Sequence, residues 1–140
     1  MQRITVLCVG KLKEKFYADA AAEYIKRLSR YCKLDVIELP ETRLPEDPSP
    51  AEIQKALAAE ANAIRQKLEA GAVVAMCIEG KTCSSEALSK KLADFALEGK
   101  SRVTFLIGGS FGLDETLKKQ ADWRLSMSPM TFPHLSLIHI

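Results

Sequence analysis

The chain has 140 residues, 47% of them hydrophobic and 27% charged, with 7 Gly and 6 Pro, which is the size of one domain and too apolar for disorder. A domain of this length buries roughly two-thirds of its unfolded surface and needs no disulfide or structural metal to hold a core. Net charge is only +2. With no apolar run long enough to span a bilayer, and an N-terminal apolar stretch too short for a signal peptide, the expectation is a cytoplasmic protein without a membrane partner.

Ile4 to Val9 is short, apolar and closed by Gly10, the pattern of a buried strand. Phe16, Ala20, Tyr24, Leu28 and Tyr31 then recur at three- and four-residue spacing, which predicts a helix, and Leu34 to Leu39 gives a second strand ended by Pro40. Pro45, Pro48 and Pro50 make 41–50 a surface loop. Ser49-Pro50-Ala51-Glu52 combines a serine cap, a proline at the first helical position and a glutamate placed to bond back, so a helix starts there. Its apolar face is Ile53, Leu57, Ala61, Ile64 and Leu68. Ala72 to Ile78 is a third strand; Ser84 or Ser85 caps a helix carrying Leu88, Leu92 and Phe95; Val103 to Ile107 is a fourth strand. A glycine cluster, a short helix over Asp114 to Gln120 and a strand near Trp123 to Met127 follow.

Alternating strands and helices, with uniformly apolar strands, predict an α/β fold: a mostly parallel sheet with helices on both faces, in a single domain over 1–140. Ligands of such sheets bind beyond the carboxyl ends of the strands, which singles out 10–15, 79–84, 108–113 and 128–134.

Charge is unevenly spread. Lys11, Lys13, Lys15, Lys26, Arg27, Arg30 and Lys33 face only Glu14, Asp19 and Glu23 within 11–33, leaving 13 basic and 15 acidic residues elsewhere. That stretch is either a phosphate-binding surface or a solvated helix face. The four cysteines form no C-x-x-C pair and both histidines lie in the last seven residues, so no metal site is expected. Cys8 and Cys77 lie in apolar runs and read as small buried hydrophobes, whereas Cys83 falls on a loop.

Gly80-Lys81-Thr82 suggests the end of a phosphate-binding P-loop, but the motif needs a glycine where Ala75 stands inside a strand. A receiver domain would need carboxylates at the end of the first strand, where Cys8-Val9-Gly10 stands instead. Gly108-Gly109-Ser110-Phe111-Gly112 follows a strand and precedes a helix. It is not the dinucleotide fingerprint, since Ser110 occupies the place of the second glycine. It either lets backbone approach a ligand closely or makes a tight turn. Ser126 to His134 interleaves apolar and hydroxyl residues with Pro129 and Pro133, which is either a rigid ligand-binding loop or a packed coil.

Val9-Gly10-Lys11-Leu12-Lys13, Ile78-Glu79-Gly80-Lys81 with Ser84-Ser85-Glu86, Phe105 through Gly112, and Ser126 through His134 together closely resemble the RlmH family, SPOUT-class methyltransferases of bacterial large-subunit ribosomal RNA. The resemblance runs in order from Ile4 to His134. It implies a SPOUT-type α/β knot, a homodimer, S-adenosylmethionine as cofactor, and methylation of N3 of a pseudouridine in 23S ribosomal RNA within the ribosome. Carried over by position, the cofactor site comprises Met76, Gly108, Met127, Ser128, Pro129, Met130, Thr131 and Phe132, with no metal. His134 is the histidine at a family-matching position and a candidate base.

After His134 the family continues with an arginine-bearing helix and a tyrosine-containing tail, whereas this chain reads Leu135-Ser136-Leu137-Ile138-His139-Ile140. The expectation is a chain truncated or altered after His134, with its knot incomplete. A second reading is a non-enzymatic RNA- or ribosome-binding module that uses the basic stretch alone; a third, Mg²⁺-dependent nucleotide binding through Gly80-Lys81-Thr82, is not expected.

Overall fold

A computed structural model describes residues 2–10 and 14–130. Within them, strands β1 (Gln2–Val9), β2 (Cys32–Leu39), β3 (Ala72–Lys81), β4 (Arg102–Ile107) and β5 (Trp123–Leu125) alternate with helices α1 (Lys15–Leu28), α2 (Pro50–Lys67), α3 (Ser85–Leu97) and α4 (Glu115–Gln120). The strands form one sheet in the order β2-β1-β4-β3-β5, and every pairing is parallel. The α/β fold expected from the alternation is therefore present. Lys11, Lys13, Thr131, Phe132, His134 and the chain beyond lie outside the described residues, and so does the expected knot.

Successive residues of a strand point to opposite faces, so each face builds its own core. On one face Leu7 and Val9 of β1, Leu39, Ala75 and Leu106 pack with Ala61 and Ile64 of α2 and with Leu113 and Leu117 at α4. On the other, Ala72, Val74, Val103 and Leu125 pack with Phe95, and Leu88 and Leu92 of α3 close over them. Helices thus cover both faces. The start of α2 is set by the expected capping box: the Ser49 side chain accepts from the Glu52 N–H and the Glu52 carboxylate accepts from the Ser49 N–H, with Pro50 at the first turn. Such a cap stabilises a helix by about 1 kcal/mol. Ser84 is the cap of α3, accepting from the Ala87 N–H.

One expectation is corrected, and the exposure of α1 is a finding that spacing does not address. The strands are not uniformly buried: β2 lies at an edge of the sheet and exposes Lys33, Asp35 and Glu38, charges of the kind that discourage further strand pairing. The apolar face of α1 is not a core face either. Only Ala21 of that helix is buried, and Phe16 and Tyr31 are 65% and 75% exposed. Helical spacing located the helix correctly because periodicity reports regularity, but it does not report what lies opposite.

Candidate functional site

The carboxyl ends of β3, β4 and β5 lie side by side, and their chains leave the sheet there to form a cavity of about 720 Å³. Three segments line it: Met76 to Glu79, Ile107 to Leu113, and Leu125 to Ser128 with Met130, together with Lys118 from α4. This is the sheet end at which open parallel sheets bind ligands.

Each wall has a local cause. Met76 and Lys81 of β3 both stand opposite Leu125 of β5, so 77–80 bulges out of the ladder and turns Cys77, Ile78 and Glu79 to the cavity. The second wall is a tight turn. Gly112 donates its N–H to the Gly109 carbonyl at 3.0 Å, and the chain folds so closely that a Cβ on Gly108 would lie 2.3 Å from the Gly112 carbonyl oxygen. Gly108 is therefore required by the turn's own backbone. The third wall is held by hydroxyls: Ser126 Oγ donates to the Ser128 carbonyl at 2.9 Å, and the Met130 N–H donates to Ser128 Oγ at 3.0 Å.

Of the residues singled out from sequence, Met76, Gly108, Met127, Ser128 and Met130 line this one cavity. Pro129 is exposed and is not among its lining residues. Thr131, Phe132 and His134 lie outside the described residues. Gly10, in the first loop expected at this end of the sheet, is buried and bonds to the Leu39 carbonyl instead of lining the cavity. Ala75, which stands where a P-loop would need glycine, is fully buried in β3.

Sequence reasoning missed the charged pair at the cavity wall. Lys118 Nζ donates to Glu79 Oε1 at 2.6 Å and to Glu115 Oε1 at 3.2 Å. Glu79 is held below the usual carboxylate range by that bond from Lys118. Burial alone would lower the Lys118 ammonium, but its hydrogen bonds to Glu79 and Glu115 raise it above its ordinary value. Glu115 and Lys118 are a readable i,i+3 pair, whereas Glu79 is 39 residues away and no local spacing could reveal it.

Cys77 lies at the wall, and burial pushes its thiol up, with Glu79 adding to the effect. Cys8 is fully buried and pushed up to about 11 by desolvation, then by Glu38, so it is the inert core thiol expected. Cys83 is exposed, as expected of a loop residue. Among the described residues there is no cluster of His, Cys, Asp or Glu that could hold a metal ion, and no helix is long and apolar enough to cross a membrane.

The cavity's size falls within the range of small-molecule sites, and its walls are mainly apolar side chains and backbone with a few hydroxyls. That suits a ligand with apolar and hydrogen-bonding parts better than a bare anion.

Comparison with known proteins agrees with this picture. The family described as "Predicted SPOUT methyltransferase" matches residues 2–140. A putative ribosomal RNA large subunit methyltransferase H of Methanococcus maripaludis is 48% identical over 132 residues, covering 94% of this chain and 83% of that protein. The ribosomal RNA large subunit methyltransferase H of Acetivibrio thermocellus is 47% identical, and that of Streptococcus suis 46%, each over 133 residues that cover 94% of this chain and 84% of the relative.

Proposed function

This chain belongs to the SPOUT methyltransferase family, and from that premise we propose that it transfers a methyl group from S-adenosylmethionine to large-subunit ribosomal RNA. The observation that carries the reading is the meeting of Met76, Gly108, Met127, Ser128 and Met130, drawn from three separate segments, on one cavity. Residues 1–140 are read as a single methyltransferase domain, altered after His134 relative to the family; the family match over residues 2–140 supports one domain. The finer assignment rests on the family resemblance: the acceptor is N3 of a pseudouridine, the enzyme works as a homodimer in the cytoplasm, and the assembled ribosome is its substrate.

Met76, Gly108 and the Ser126–Ser128 segment would hold the cofactor, which would supply an activated methyl on a sulfonium. The protein's own work is then positioning. Met76, Ile107 and Leu125 offer apolar surface, and the turn 108–112 and the Ser126–Ser128 segment fix the backbone around it. Holding two reactants in line and excluding water supplies much of such a reaction's acceleration. Glu79 is the carboxylate lining the cavity among the described residues, but its lowered proton affinity makes it a poor base for the departing N3 proton. Its role is to hold Lys118 against the wall.

The test is transfer of tritiated methyl from S-adenosylmethionine to ribosomes that lack the modification. Label is expected in large-subunit RNA, as N3-methylpseudouridine after nucleoside digestion. Label confined to protein, or none, would overturn the reading.

A further inference from the structure

Glu41 follows Pro40 at the end of β2, far in sequence from every segment lining the cavity, yet its carboxylate Oε1 accepts the Ser110 N–H at 2.7 Å. Ser110 is the middle residue of the turn 108–112. The backbone is shaped for this bond. A Cβ on Gly109 would lie 2.6 Å from that same Oε1, so a side chain at 109 would push the carboxylate away. The Gly109–Gly112 pairing holds the base of the turn, and Glu41 holds its tip.

Glu41 is itself anchored from a second direction. The next residue, Thr42, donates its N–H at 2.9 Å to Oε2 of Glu60, a carboxylate on α2 that is 9% exposed. A fixed helix therefore sets the position of the chain at 41–42. The charge on Glu41 then meets an N–H dipole at short range, the stronger class of hydrogen bond. The chain of contacts runs from α2 through Glu60, Thr42 and Glu41 to Ser110, and ends at a cavity wall.

We propose that Glu41 is a positioning residue for the cofactor site: it holds the glycine turn in its binding geometry through the Ser110 N–H. This rests on the reading of the cavity as the S-adenosylmethionine site. Glu41 is not among the residues lining the cavity, so it acts through the turn. Its effect falls on affinity, because an unheld turn must be ordered again each time ligand binds.

The experiment titrates S-adenosylmethionine calorimetrically into the full chain and into Glu41→Ala and Glu41→Gln, with amide hydrogen exchange at Ser110 and the Tm recorded for each. The amide oxygen of glutamine still accepts a hydrogen bond. The expected result is that Glu41→Ala weakens binding by about tenfold and speeds exchange at Ser110, while Glu41→Gln restores most of the affinity and protection. Glu52→Ala, which breaks the α2 capping box, serves as the control: it lowers Tm without weakening binding or exposing Ser110. Equal affinity of Glu41→Ala and the unmodified chain overturns the proposal alone. Weakening by Glu41→Ala that Glu41→Gln does not restore, or that Glu52→Ala reproduces in proportion to lost stability, also overturns it. Failure of the unmodified chain to bind overturns it together with the cofactor reading.

Discussion

The Ser126 N–H donates to the Lys81 carbonyl at 3.0 Å. That bond lies just past Leu125, which already stands opposite both Met76 and Lys81, so β3 rejoins β5 only after an excursion through 77–80. The cavity exists because the two strands separate and then meet again. Ser126 sits at the meeting point and is 3% exposed.

Replacing Ser126 with Ala removes the donor to the Ser128 carbonyl while leaving the backbone bond to Lys81 intact. The expected cost is about 1 kcal/mol of stability, the usual worth of one internal hydrogen bond. Urea denaturation reads that loss. A calorimetric titration should show weaker S-adenosylmethionine binding, because the 126–128 turn loses its internal tie.

Gly108→Ala is expected to be more damaging. The added methyl would meet the Gly112 carbonyl oxygen at 2.3 Å, and both atoms belong to one short turn that cannot yield without opening. A loss of roughly 2 kcal/mol is expected, typical of overpacking, with cofactor affinity falling out of calorimetric range. An unchanged melting curve with unchanged binding would show that the turn is looser than its geometry implies.

The Glu79–Lys118 pair gives a pH dependence whose sign can be worked out. Glu79 is lowered from 4.5 in the folded chain, so its contribution is fully present above 4.5 and is lost as pH falls through the lowered value. Lys118 is raised from 10.5, so its contribution is present below 10.5 and is lost as pH rises through the raised value. Glu79→Gln should therefore flatten the acid side of the stability profile. Because Glu79 is half exposed, the loss at neutral pH should stay within roughly 1 kcal/mol. Denaturant midpoints at a series of pH values would check it.

Glu60 behaves in the opposite sense. Burial raises its carboxyl above 4.5 despite the bond from the Thr42 N–H, so the folded chain holds the proton more tightly than the unfolded one. Stability then falls as pH rises from 4.5 through the raised value. Glu60→Gln keeps an acceptor for Thr42 and removes the charge. Its Tm should exceed that of the unmodified chain by a few degrees at neutral pH, with the two curves converging near pH 4; scanning calorimetry at both pH values reads the difference.

Much of this is legible in the sequence. The α2 cap was written in Ser49, Pro50 and Glu52 because capping is local chemistry. The parallel sheet follows from apolar runs such as Val103 to Ile107; the glycine cluster 108–112 is visible, but Gly108 is singled out within it only by the family resemblance. The β3 excursion was not legible, because Cys77 and Ile78 continue an apolar run and only their pairing with β5 shows where the ladder breaks. The Glu79–Lys118 and Glu41–Ser110 contacts were hidden for the same reason: each joins residues distant in sequence through a fold that spacing cannot register. The exposure of α1 is not legible either: the spacing locates the helix but carries no information about burial, and Phe16 and Tyr31 are exposed.

The most direct measurement is a titration of S-adenosylmethionine into the isotopically labelled chain, followed by amide nuclear magnetic resonance. Saturable shifts confined to Met76 to Glu79, Gly108 to Leu113 and Ser126 to Met130 are expected, with the largest where these loops converge. Absence of saturable shifts, or shifts centred on the basic surface of α1, would contradict the assignment of this cavity as the cofactor site.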